Sequence, residues 1–587
     1  MKIARNKAAE RALWAAGIVI LILYPLRHAG LGVDLWDAGY NYTNFEYPGL
    51  MYMDSMWYYS TWLAGQLGTF LTKLPFGGSM LGMNIYTGLL VSLIAVLSWV
   101  FAVKKLNAPA WIAFLGEILA LSLCWAPSAI LYNYLTYLLL LAGTLLLHQG
   151  LTTQRRGFLV AAGVALGVNV AVRFSNLPQA ALIIAVWTYG WMGRKKFREI
   201  LKDTGFCILG YVGAIAAYML LMSALYGFSE YVQGIMRLFE MTETARDYAP
   251  SSMFTALFET YYESAYWLKR YLVLGAAEFV LIFILPRSWV KIKKALIIAG
   301  TLIVTVWLIQ KGYCYTDYHI YESVFDPCVT LLILMIVMSA YLLVRKSVSR
   351  EEKLMAVIAV VTVLITSLGS NNAVYSSINN LFLVMPWFLG VLLKFIKERK
   401  EIWYFPFQCL LTATACLLLV QGLRFGRTFV YEQATGGRNM DTVVSEVPVL
   451  RGIKTSREKA EALTGLYLHL QESGAADREC LLYGQIPGVA YYMELAPAMN
   501  VWSDLRSYTY INMKDDLQQV RAEADAGQEK PVIILNAGLI SYVEEKKQGD
   551  YPFQGDQDIQ KMELICTFME EYGYEMTYEN EKFAVYQ

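Results

Sequence analysis

Runs of apolar residues, each roughly 15–22 positions long and set off by short charged segments, dominate the first 426 residues of the chain. Read as membrane-crossing helices they predict about thirteen spans, near 12–27, 81–103, 109–126, 129–148, 157–172, 177–193, 204–226, 271–286, 295–310, 328–344, 354–369, 380–394 and 404–422. Polar connections alternate in character. Lys and Arg cluster at Lys2/Arg5/Lys7/Arg11, Lys104-Lys105, Arg155-Arg156, Arg194-Lys195-Lys196, Lys291/Lys293-Lys294, Arg345-Lys346 and Lys397/Arg399-Lys400. The intervening connections 28–80, 227–270, 311–327 and 370–379 are poorer in Lys and Arg and rich in Tyr, Asn, Asp and Glu. The positive-inside rule therefore puts the N-terminus in the cytoplasm, and an odd number of spans puts the C-terminus outside. The basic start Met1–Lys7 resembles a secretory signal, but no small-residue cleavage site precedes Arg27-His28, so the first helix is expected to be retained.

Beyond Phe425 the pattern changes. Residues 427–587 contain no run long enough to span, and helical and strand periodicities alternate. Helices are predicted at 456–472, near 487–493, near 514–524 and near 558–572, with strands at 480–483, 531–535, near 575–579 and near 582–586. The fold class is thus a polytopic α-helical membrane protein: a transmembrane part over 1–426, whose first outer loop covers 28–80, and a small extracytoplasmic α/β domain over 427–587. The composition agrees, with 57% hydrophobic residues and a mean hydropathy of +0.40, and predicts a multi-pass protein of the cell membrane surrounded by lipid. A net charge of +1 points to no particular partner, and nucleic acid is not expected. The eight cysteines form no CxxC pair; Cys480 and Cys566 in the tail could pair in an oxidising compartment, but read more simply as buried thiols.

The candidate chemistry lies in the outer loops. Directly after the first helix comes Gly32-Val33-Asp34-Leu35-Trp36-Asp37-Ala38-Gly39-Tyr40-Asn41-Tyr42-Thr43-Asn44. The stretch 51–71 has aromatic and aliphatic residues at helical spacing, which predicts one or two helices in the membrane interface. A carboxylate at that depth can deprotonate an acceptor hydroxyl while a lipid phosphate leaves the far side of a sugar. It can equally cap a helix, and the residues alone leave Asp34 and Asp37 open between these roles. Arg173, where the fifth span reaches the outer face, can take a phosphate through its planar fork or can snorkel to the interface. Gly163 and Gly167 on that span suggest close helix packing. Tyr40, Asn44 and Asp54 in the first loop, with Asp317 and His319 in the connection 311–327, are further candidates for holding substrate, although solvated loop polarity is the simpler reading of the last two. Glu240, Glu243, Arg246 and Asp247 read as a gate or as a solvated helical face. Glu117 and Glu278 fall inside predicted spans, where an ionisable group must pair internally or sit near water.

An aspartate just beyond the first helix in Asp34-Leu35-Trp36-Asp37-Ala38-Gly39-Tyr40, interfacial helices, about a dozen spans and an outward α/β tail together resemble the GT-C superfamily of glycosyltransferases, which includes protein O-mannosyltransferases, aminoarabinose transferases and oligosaccharyltransferase catalytic subunits. The resemblance implies an inverting, lipid-phosphate-sugar-dependent transferase whose catalytic acid is Asp37, or failing that Asp34, with Arg173 on the donor phosphate. It implies a polyprenyl-phosphate sugar as donor and a cell-envelope glycan, lipid or protein as acceptor. Two features depart from the oligosaccharyltransferase pattern. The next outer loop, Trp125-Ala126-Pro127-Ser128-Ala129-Ile130, has no acidic pair for a divalent ion, so a divalent metal is possible but not favoured and no other cofactor is expected, and Val501-Trp502-Ser503-Asp504 only faintly echoes the acceptor motif and reads as a turn. A transporter or flippase of lipid-linked glycans is the alternative, as is a glycan polymerase or ligase of another fold. A transporter, however, should show two related halves and charges at mid-membrane.

Overall fold

The computed structural model describes residues 2–244, 250–368, 372–433, 435–547 and 549–587; the side chains of 2–11 and 240–250, and with them Glu240, Glu243, Arg246 and Asp247, lie outside the described residues. Each predicted apolar block overlaps a helix. Among the described residues six helices are long and apolar enough to cross a membrane: Met80–Lys104, Leu131–Thr153, Phe197–Tyr226, Val290–Gln310, Glu322–Val344 and Ile402–Thr428. Ala12–His28, Ala110–Leu123 and Arg156–Val172 are shorter apolar helices. The block at 177–193 is a 3-10 turn, Phe174–Leu182 with Pro178 inside it, running into the helix Ile183–Met192. Proline removes a backbone donor and excludes a regular helix there.

Helix packing follows small residues. A Cβ on Gly163 would lie 2.1 Å from the Cys207 carbonyl oxygen, and one on Gly167 would lie 2.5 Å from that of Tyr211, so these glycines let Arg156–Val172 rest directly on Phe197–Tyr226. Of the two intramembrane acids, Glu278 accepts a hydrogen bond from Thr301 Oγ1 at 3.3 Å. Glu117 is fully buried beside Gly116, whose backbone presses on Pro386.

The first outer loop folds into the helices Asp37–Glu46, Ser55–Ser60 and Trp62–Thr72. In the tail, Cys480–Tyr483 pairs in parallel with Val532–Asn536, which pairs antiparallel with Phe583–Tyr586, which in turn pairs antiparallel with Met576–Glu579. The parallel pair requires a crossover, supplied by the helix Tyr510–Asp525. Strand alternation sorts the two faces. Leu481, Tyr483, Ile533, Leu535, Ala584 and Tyr586 pack against Met513, Leu517, Val520, Met562, Ile565 and Phe568 of two helices. Leu482, Val532, Ile534, Phe583 and Val585 pack against Leu463, Leu466 and Leu470 and, in the same core, against Leu35, Ala38, Tyr40 and Tyr42 of the first loop. Cys480 and Cys566 are free and buried.

This shared core fixes how the tail sits on the loop. A Cβ on Gly39 would lie 2.5 Å from Gly488 Cα, so the two backbones touch where only glycine fits. Around that contact the Gly488 amide donates to Leu35 O (3.0 Å), Thr43 Oγ1 to Pro487 O (2.9 Å) and the Tyr492 hydroxyl to Asp34 O (2.6 Å). A buried ion pair, Lys459 Nζ to Glu432 Oε1 at 2.8 Å, closes the seam; the Val33 amide and Thr455 Oγ1 also donate to that carboxylate oxygen. Removing one partner of such a pair typically costs about 3–5 kcal/mol, because the other charge stays buried.

Candidate active site

Asp34 and Asp37 stand three residues apart at the start of the same helix and face different surroundings. Asp34 is 2% exposed, and both of its oxygens are taken by backbone: Oδ2 accepts from the Ala38 amide and Oδ1 from the Gln433 amide, each at 2.7 Å. It caps the helix and fastens the tail to it. Burial, with the charge of Asp37 adding to it, pushes its carboxyl up to about 7 against the opposing N–H bonds and the Lys459 charge. Asp37 begins the helix proper, where a negative charge is favoured. Its Oδ2 accepts a 2.7 Å hydrogen bond from the Tyr431 hydroxyl, and burial again raises its carboxyl above the ordinary range while that bond opposes the rise. The two carboxylates thus meet different partners, backbone amides at Asp34 and a tyrosine hydroxyl at Asp37.

Asp37 opens into a cavity of about 310 Å³ between the first loop, the outer helix ends and the tail. Arg173 lines the same cavity. It follows the last turn of Arg156–Val172 in an extended conformation (φ −155°, ψ 121°), which turns its side chain off the helix axis. Its Nη1 donates to Asn133 Oδ1 at 3.3 Å, and the guanidinium carbon lies 5.2 Å from the centre of the Tyr132 ring. Beneath it a buried amide network holds the turn: Asn169 Nδ2 donates to Gln179 Oε1 (2.8 Å), and Asn176 Nδ2 donates to Thr136 Oγ1 (2.7 Å) and Asn169 O (2.9 Å). Arg173 thus faces the cavity that Asp37 also lines.

Among the described residues on this wall, Asp37 is the only carboxylate and Arg173 the only cation. The rest are amides and hydroxyls, including Asn133, Asn176, Gln179 and Asn379, aromatic rings, including Trp57, Trp125, Tyr321 and Trp502, and apolar side chains such as Met53, Ile130, Ile365 and Leu368. Trp125 stacks between Tyr321 (5.1 Å) and Tyr431 (6.2 Å), and its amide donates to Asn379 Oδ1 at 2.8 Å.

This chain is similar to a crystal structure of an Archaeoglobus fulgidus oligosaccharyltransferase in complex with zinc and sulfate, at 13% identity and a TM-score of 0.45 over 93% of this chain and 70% of that one. It is also similar to ArnT from Cupriavidus metallidurans bound to undecaprenyl phosphate, at 10% identity and a TM-score of 0.40 over 98% of each chain. No family model matches the sequence, and no curated protein matches it. With identity this low, residue roles in this chain rest on its own geometry.

The other predicted substrate residues divide. Tyr40 lines the cavity, its ring edge-on to Trp502 at 5.2 Å. Asn44 lines a side cavity of about 30 Å³ that shares Asn41, Met53, Thr61 and Tyr132 with the main one. Asp54 is not on the wall; it caps Ser55–Ser60 through the Met56 amide (2.9 Å) and pairs with Arg237 at 3.3 Å. Asp317 and His319 are not on it either. Asp317 pairs with Arg438, which holds its carboxyl below the usual range, while His319 Nδ1 meets Gly437 O at 2.9 Å and its carbonyl accepts from the Gly436 amide at 2.6 Å. Both fasten the loop 311–321 to the turn after the last helix.

Sequence reasoning did not find Tyr431, Asn133 or the cavity role of Trp502. The segment 500–505 is indeed a turn, with Asp504 buried against the Tyr551 hydroxyl at 2.7 Å, but it carries Trp502 into the cavity wall. Among the described residues the wall carries a single carboxylate and no group of three His, Cys, Asp or Glu.

Proposed function

We propose that this protein is an inverting glycosyltransferase that moves a sugar from a polyprenyl-phosphate donor to a cell-envelope acceptor at the outer membrane face, with a cytoplasmic N-terminus and an external tail. One observation carries the reading: among the described residues a lone carboxylate and a lone cation, distant in sequence, line one cavity together with amides, hydroxyls, aromatic rings and some apolar side chains. Such a wall suits a sugar, with polar groups for its hydroxyls and ring faces for its C–H edges. Asp37 takes the proton of the acceptor hydroxyl as that oxygen bonds to the anomeric carbon. The bond from that carbon to the phosphate oxygen breaks with its electron pair, and the phosphate leaves towards Arg173, whose fork takes two of its oxygens. Attack opposite the leaving group inverts the anomeric centre.

Arg173 provides the test of the donor. Arg173→Ala should weaken binding of a polyprenyl-phosphate sugar by tenfold or more, and Arg173→Lys should restore only part of it, because a point charge lacks the planar fork. Fully wild-type binding by the alanine variant would return Arg173 to the role of an interfacial anchor. Reporter fusions after Lys105, Lys195, Lys400 and at the C-terminus test the topology; the first three should report cytoplasm and the last the outside.

A further inference from the structure

A second cavity, of about 110 Å³, lies behind the wall that carries Asp37 and shares Trp125, Ala126, Pro127 and Tyr431 with the first. Its volume is well above the roughly 10–15 Å³ that one water needs. Arg27 lines it, at the 3-10 turn Tyr24–His28 that ends the first apolar helix. Its Nε donates to Gly426 O at 2.5 Å and its Nη1 to Tyr24 O at 2.9 Å, with the guanidinium 4.2 Å from the centre of the Tyr24 ring. Both acceptors are neutral carbonyls. Arg27 is half-buried, and the two hydrogen bonds described for it engage Nε and Nη1. Asp34, the carboxylate on the same wall, already accepts two backbone N–H bonds, and its burial weakens its charge near neutral pH. Asn84 is likewise committed, donating to Ala29 O and accepting from the Tyr42 hydroxyl.

A guanidinium that lines a cavity with donors to spare can offer them to the oxygens of a phosphate, which its planar fork matches. We infer that this cavity is a second anion site, in which Arg27 binds a phosphate group distinct from the one assigned to Arg173. The site goes beyond the transfer reaction and would stand whatever group is moved at Asp37. Its position at the end of a membrane helix allows two sources of the same chemistry, a lipid headgroup or free phosphate.

The experiment uses the full chain in a phosphate-free maltoside micelle, carrying Arg173→Gln so that only one site is read. Thermal unfolding is followed against inorganic phosphate in one arm and dihexanoyl phosphatidic acid in the other. A saturable rise in Tm is expected in at least one arm, and the arm that responds names the source. Adding Arg27→Gln should weaken the response at least tenfold, with Arg27→Lys intermediate. Ser128→Leu, which fills the cavity and leaves Arg27 in place, should abolish it. No response in either arm overturns the inference, and so does an Arg27→Gln or Ser128→Leu variant that keeps the wild-type concentration dependence. If Arg27→Gln does not fold, the Ser128→Leu result decides alone.

Discussion

Asp37→Asn is the sharpest perturbation of the proposed site. The amide has the shape of the carboxylate, and its oxygen can still accept from the Tyr431 hydroxyl, so the contact at 2.7 Å and the start of the helix Asp37–Glu46 are kept. What is lost is the ability to take a proton. A general base typically contributes 10²–10⁴-fold in rate, roughly 3–5 kcal/mol of barrier at 1.36 kcal/mol per decade. The assay is transfer of labelled sugar from a polyprenyl-phosphate donor by purified wild type, Asp37→Asn and Asp34→Asn, with donor binding and thermal stability measured on the same preparations. Asp37→Asn should bind donor and unfold at the wild-type temperature while turnover falls by that factor. The binding control matters because the loss should be confined to the transition state. Near-wild-type turnover by a folded Asp37→Asn would refute the assignment, and full loss in Asp34→Asn with Asp37→Asn active would move the base three residues upstream.

Tyr431→Phe removes the hydrogen bond that stabilises the Asp37 carboxylate, so the acidic limb of the rate profile should move to higher pH while the stacking on Trp125 keeps the fold; an unmoved limb counts against Tyr431 as a positioning residue. Asp34 has a folded-state pKa of about 7 against an ordinary 3.8, so between those values the folded chain holds a proton that the unfolded chain releases, and stability falls as pH rises. Wild-type Tm should therefore drop relative to Asp34→Asn on going from about pH 4 to about pH 7, and parallel curves for the two proteins would show that the Asp34 carboxyl is not perturbed.

Much of the architecture was legible because it depends on short-range periodicity. Apolar blocks marked the helices, and the strands at 480–483 and 582–586 were read within a residue or two of where they lie. Asp37 and Arg173 could be singled out because a charge at a membrane boundary needs a reason. What could not be read is which charge does what. Asp34 and Asp37 are the same residue type in the same helix start, and they differ because the Gln433 amide, 399 positions away, meets one of them and the Tyr431 hydroxyl, 394 positions away, meets the other. Asp317 and His319 look like a site in sequence for the converse reason: nothing local shows that Arg438 and Gly437 engage them.

Those distant partners share an origin, since Tyr431 and Gln433 both follow immediately after the last membrane helix, Phe405–Thr428. The residue that orients the proposed base and the amide that bonds its neighbour's carboxylate are therefore delivered by the chain as it leaves the bilayer for the tail. The tail in turn is held against the first loop by the Gly39–Gly488 contact and the Lys459–Glu432 pair. A shift of the tail would be felt at Asp37 through Tyr431, at Asp34 through Gln433 and in the cavity wall through Trp502. The membrane helices supply Arg173 and its amide bed, but the geometry around the carboxylate is completed only by residues beyond them. On this arrangement the tail is a structural part of the site, and it supplies hydrogen-bond partners to both carboxylates.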